Sequence, residues 1–206
     1  MSDRHRIAGI ARRLDGRRPM QSLSPQSVWD AALRPQIDDW AEAAGNDEPT
    51  QACRAGLQLW NDDLAASHEL SQRLETPAGS FWHGLMHRME GDYGNAKYWF
   101  HQAGELPVFS RIQSAASAYM SEPETESAIS RMADEPLRRM LRQIAGQQRW
   151  NPHLMVDAVQ RCALRQGCEA ADHTLRALQR IELRQTIDVF ACERLGGSII
   201  DMEQEQ

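Results

Sequence analysis

Apolar residues recur along most of this chain at three- and four-residue spacing, and nowhere do they alternate with polar ones for long enough to found a strand. The pattern predicts an all-α protein, a compact multi-helix bundle. Ser24 followed by Pro25 reads as an N-cap and first helical position, opening a helix over "SPQSVWDAAL" that Pro35 interrupts. "QIDDWAEAAG" follows as a short helix ending near Gly45, and "NDEPT" as a turn. From Thr50 to about Leu74 one long helix is expected, with Leu57, Trp60, Leu64, Ser67, His68, Ser71 and Leu74 on a single stripe. After "ETPAGS", a helix over "SFWHGLMHRME" is separated by "GDYG" from a third, "AKYWFHQAG", with Asn95 as its cap and Gly104 at its end. "RIQSAASAYM" predicts another helix, and "ESAISRMADEPLRRMLRQIAG" one or two more, broken at Pro136. "WNPHLMVDAVQRCALRQG" carries Asn151 as cap and Pro152 at the first position, and the last long helix runs from about Glu169 to Leu195.

The organisation this implies is a flexible basic arm over 1–22, then one helical domain over 23–206. The polar "SEPETES" at 121–127 would act as a hinge within it. "EGDYGNAKYWFHQAGEL" is similar to part of a tetratricopeptide or Sel1-type helix pair, with no second copy at that period.

Composition changes the picture at the ends. Six arginines crowd residues 1–20, whereas the chain closes on the acidic "DMEQEQ" and has a net charge of -6. That balance argues against general nucleic-acid binding, and the arm offers no recognition helix for DNA. No window is apolar enough to span a membrane, and no signal-peptide core follows Met1, so the expected location is cytoplasmic. Cys53, Cys162, Cys168 and Cys192 are scattered and read as reduced thiols. Nothing places a base beside Cys53 to make it a nucleophile.

The chemistry worth testing lies in "GSFWHGLMHRME". His83 and His87 are four residues apart and Glu90 is three further on, so all three project from one helix face beside the apolar stripe of Trp82, Met86 and Met89. Neutral imidazoles at that spacing can share a metal ion. The preceding stripe is broken by Ser67, His68 and Ser71. A short connection should bring His68 toward His83 and His87, with Asp62 and Asp63 placed to orient the ligands from behind. The site set is therefore His68, His83, His87 and Glu90 for a divalent metal, zinc or iron. Glu90 and His87 would be the catalytic groups, and a bound water the hydrolytic nucleophile. Glu182 and Gln179 interrupt the apolar stripe of the last helix. The carboxylate is read first as a stripe-edge group reaching water, then as a buried acid or remote ligand. His153 and His173 fall at helix starts and read as surface residues.

Residues 55–109 resemble a family of small helical proteins from bacteria and some fungi. Its members carry segments like S-H-x-I-x-Q, G-S-Y-W-H-x-x-x-H-R-R-E, N-A-x-Y-W-F and G-x-H-P-[VI]-F. The resemblance covers Ser67, His68, Gln72, Trp82, His83, His87, Arg88, Glu90, Asn95, Tyr98 and Trp99. "WNPHLMVDAV" and "LQRIELRQTIDVF" fit its looser C-terminal pattern. Met89 and Leu106 depart from it, where the family has an arginine and a histidine. The resemblance implies that these residues act as a unit and names no reaction. Two readings stay open: a metal-dependent protein acting on an unknown small molecule, and a helical module for a protein partner. In the module the histidines would be structural and Tyr93, Tyr98 or Trp99 would face a groove.

Overall fold

The structure, a computed structural model, describes residues 2–164 and 169–199. Among these residues there are helices and connections but no strands. The order is α1 (Asp3–Asp15), α2 (Leu33–Ala44), α3 (Glu48–Trp60), α4 (Leu64–Arg73), α5 (Pro77–Glu90), α6 (Tyr93–Ala103), α7 (Val108–Met120), α8 (Pro123–Ser130), α9 (Glu135–Ala145), α10 (Pro152–Ala163) and α11 (Glu169–Leu195). Cys168 and the acidic "DMEQEQ" lie outside the described residues. No described helix is long and apolar enough to cross a membrane.

Several boundaries correct the sequence reading. Residues 1–22 are not a loose arm: α1 is capped by Ser2 and buries Ile7, Ala8, Ile10 and Leu14. Its arginines conceal a narrow apolar stripe, and Arg17 beyond it is itself buried. The segment predicted to open with Ser24 is not helical, and α2 begins only at Leu33. Pro35 thus sits in a first turn, where its missing N–H costs nothing, instead of interrupting a helix. "SEPETES" leads directly into α8, which buries Thr125 and Ile129.

The expected long helix over 50–74 is two helices. Asp62 adopts a left-handed backbone (φ 64), and Asp63 caps α4 by accepting from Ala66 N. Arg17 Nη2 donates to Asp62 Oδ2 at 2.7 Å, and Gln21 Nε2 donates to Asp62 Oδ1 at 2.7 Å. Asn61 Nδ2 donates to Asp30 O at 2.9 Å, and Trp29 N to Asn61 O at 3.0 Å. A non-glycine left-handed residue costs on the order of 1 kcal/mol or more, and this buried polar hub compensates it. Asp62 and Asp63 are therefore corner residues, occupied by Arg17 and the α4 cap, not supports for the histidines. The break frees α4 from the axis of α3 and lets it lie along α5.

α5 packs against α4, α6 and α3. Thr76 caps it, Pro77 occupies its first turn, and left-handed Gly91 (φ 84) ends it. Phe81, Trp82, Leu85 and Met86 are all fully buried, each such side chain being worth roughly 1.5–3 kcal/mol. Two glycines permit the close packing. A Cβ on Gly56 of α3 would stand 2.6 Å from Trp82 Cζ2, and one on Gly84 would stand 2.8 Å from Phe100 Cδ1 of α6. The α6 cap is Asp92, whose side chain accepts from Asn95 N, so Asn95 is left with its amide free for other work.

Candidate metal centre

The α5–α6 turn is two residues long, and the pairs His83–Trp99 and His87–Asn95 show the antiparallel register. α4 flanks α5 on the other side and delivers His68. Its ring centroid lies 4.7 Å from that of His83 and 5.5 Å from that of His87. His83 and His87, one turn apart, stack at 4.8 Å with 16° between their planes. One ring nitrogen from each of the three lies within 4.8 Å of the others. Tetrahedral zinc with ~2.05 Å bonds places its nitrogens about 3.3 Å apart, so closure asks each to move inward by at most about 0.8 Å.

The rings are held in a defined way. Asn95 Nδ2 lies 3.0 Å from His87 Nε2, and Gln72 Nε2 lies 2.7 Å from His68 Nε2. An amide NH2 donates, so Asn95 favours the tautomer in which His87 Nε2 carries the lone pair, while the Gln72 amide lies 2.7 and 3.2 Å from the two ring nitrogens of His68. Glu90 Oε2 stands 3.2 Å from His87 Nδ1, on the ring's other side, close enough for charge attraction although that nitrogen makes no hydrogen bond. His83 packs against Trp99, with centroids 4.0 Å apart and 16° between planes. His83 Nδ1 is buried and has no hydrogen-bond partner, and neither has Ser67 Oγ on α4. The other polar break in that stripe, Ser71, is satisfied by donating to His68 O at 3.1 Å.

Burial keeps His83 and His87 neutral. Burial, then the neighbouring His87 and His68, push the His83 pKa down to about 4. His87 is also lowered, by burial foremost, with Glu90 pulling the other way. At neutral pH these are unprotonated donors, the state a metal requires.

The structure thus brings together His68, His83 and His87. Glu90 stays at the exposed edge against His87, outside the three converging donors. Glu182 and Gln179 are elsewhere. Glu182 is fully buried, not at a stripe edge; it receives two hydrogen bonds from Arg88, at 3.1 and 2.5 Å, and one from Trp150 Nε1 at 2.8 Å. Gln179 donates to Ser22 O at 3.0 Å. Cys53 is sealed against α11, its Sγ 3.6 Å from Ile187 O, and burial raises its thiol pKa, which removes it as a nucleophile. His173 is exposed as expected, while His153 is half-buried against Phe100. Of the aromatics proposed for a groove, Tyr98 is exposed, Tyr93 is half-buried in the core's margin, and Trp99 belongs to the histidine cluster. Spacing alone does not reveal the Trp99 stack or the Asn95 and Gln72 contacts.

Comparison of the chain with protein-family models, with curated proteins and with solved structures finds no match.

Proposed function

We propose that the protein binds one divalent metal ion through His68, His83 and His87. The observation that carries this reading is the convergence of three ring nitrogens from adjacent antiparallel helices, with a buried nitrogen on each of His83 and His87 making no hydrogen bond. A buried polar atom left unsatisfied costs about 1–3 kcal/mol, and a metal–nitrogen bond removes that cost. Three neutral imidazoles without a carboxylate suit zinc, with iron the next choice.

Glu90 then orients rather than ligates. Its carboxylate beside Nδ1 favours the His87 tautomer that points Nε2 at the metal, the usual arrangement behind a metal-bound histidine. His68, His83 and His87 would hold the ion, and a bound zinc would supply a water acidic enough to act as a nucleophile near neutral pH. Hydrolysis of a small molecule is the reaction class this supports. Asn95 and Gln72, whose amides now rest on two ligand nitrogens, are the groups a metal displaces and the donors nearest the oxygen it would bring.

Elemental analysis of untagged protein tests the reading. We expect about one equivalent of zinc or iron per chain, lost in His83→Ala. Equal, substoichiometric metal in both proteins contradicts it.

A further inference from the structure

Away from His68, His83 and His87, a cleft of about 780 Å³ opens between the α6–α7 corner, the loop joining α9 to α10, and the start of α10. That volume is within the range of small-molecule sites. Its floor is aromatic: Phe100, Phe109 and Trp150 line it, all nearly buried. The floor is also fixed in place. Trp150 N donates to Phe109 O at 3.2 Å, and the indole N–H donates to buried Glu182 at 2.8 Å.

The mouth of the cleft is dipolar. Glu105 and Arg149 both line it and pair across it, Nη1 to Oε2 at 2.5 Å, although their side chains are 74% and 55% exposed. Exposed pairs of this kind are worth at most about 1 kcal/mol, so a ligand can part them at little cost. Three helix ends add to the two poles. The C-terminal caps of α6 and α9, Gly104 and Gly146, line the cleft and bring partial negative charge; Asn151 and Pro152 at the start of α10 bring partial positive charge. His153 on the wall adds no charge at neutral pH, since burial first and Lys97 next lower its pKa.

We infer that this cleft is a binding site for a zwitterionic small molecule of the amino-acid class with an apolar or aromatic side chain. The ligand's carboxylate takes Arg149 and the start of α10. Its ammonium takes Glu105 and the carbonyl ends of α6 and α9. Its side chain lies on Phe100 and Phe109. A ligand with one charge only leaves either Glu105 or Arg149 without its partner.

The test uses three probes, L-phenylalanine, 3-phenylpropanoate and phenethylamine, titrated into the full chain while the Trp150 indole N–H is followed by NMR. L-phenylalanine is expected to saturate the shift and to bind about 10- to 100-fold more tightly than either single-charge probe, the worth of one charged hydrogen bond. Glu105→Gln should narrow the gap to 3-phenylpropanoate, and Arg149→Gln the gap to phenethylamine. Both residues are exposed, so neither change threatens the fold. His83→Ala should bind L-phenylalanine as well as the parent does, which separates this site from the metal reading. No saturable shift with L-phenylalanine, or equal binding of all three probes, overturns the inference.

Discussion

At the scale of single residues, the account rests on two imidazoles, His83 and His87, kept neutral by burial. Protons compete with metal only where the rings can protonate. With His83 lowered to about 4 and His87 lowered as well, proton competition at these two rings should set in only below the pH at which an ordinary histidine protonates, so metal should persist into mildly acidic solution. Equilibrium dialysis across pH, read by elemental analysis, checks this. The same shift carries a stability consequence. An unfolded histidine titrates near 6.5, so between about 6.5 and 4 the unfolded chain takes up a proton that folded His83 refuses. Stability of metal-stripped protein is then full above 6.5 and falls as pH drops toward 4. Urea midpoints should show this decline and should show less of it in His83→Phe. At this scale the convergence of His68, His83 and His87 was legible, because i, i+4 spacing and a polar break in an apolar stripe are local signals. Glu90's place was not, since helix periodicity gives a direction but not the rotamer that sends its carboxylate to His87 Nδ1.

At the scale of elements, two close helix contacts hold α5 where the site needs it. Gly56→Ala and Gly84→Ala each drive a methyl into an aromatic ring and should cost about 1–3 kcal/mol by urea denaturation. Gly94→Ala in α6 meets only Asp92 Oδ1 at 3.9 Å and should be neutral or stabilising, by up to about 1 kcal/mol. Helix existence from α3 onward was legible from apolar spacing, with caps such as Asn151 and stops such as Gly104 and Gly91. The break between α3 and α4 was not. "WNDDLAAS" continues a helical pattern, and only Arg17, Gln21 and Asp30, 31 to 45 residues away, make the left-handed Asp62 affordable. The missing helix at 24–33 has the same cause, since Asn61 engages Trp29 and Asp30 instead.

At the scale of the whole molecule, one buried polar network joins the parts. Arg88 of α5, fully buried beside His87, binds Glu182 of α11, which also receives Trp150 from the floor of the cleft. Removing one partner leaves the other as an uncompensated buried charge. Arg88→Met should therefore cost about 3–5 kcal/mol, and Arg88→Met with Glu182→Leu clearly less than the sum of the two single changes. Denaturant unfolding of the three variants measures this. The all-helical architecture was legible throughout. This network and the burial of α1 were not, because both depend on partners more than forty residues away: Arg88 with Glu182, and Asp15 of α1 with Arg180 of α11.

The central claim, that three imidazoles from α4 and α5 form one metal site, is most directly tested by X-ray absorption at the metal edge of untagged protein. The account predicts three imidazole nitrogens at about 2.0–2.1 Å, falling to two in His68→Ala. A first shell of oxygens alone, or a spectrum unchanged by His68→Ala, contradicts it.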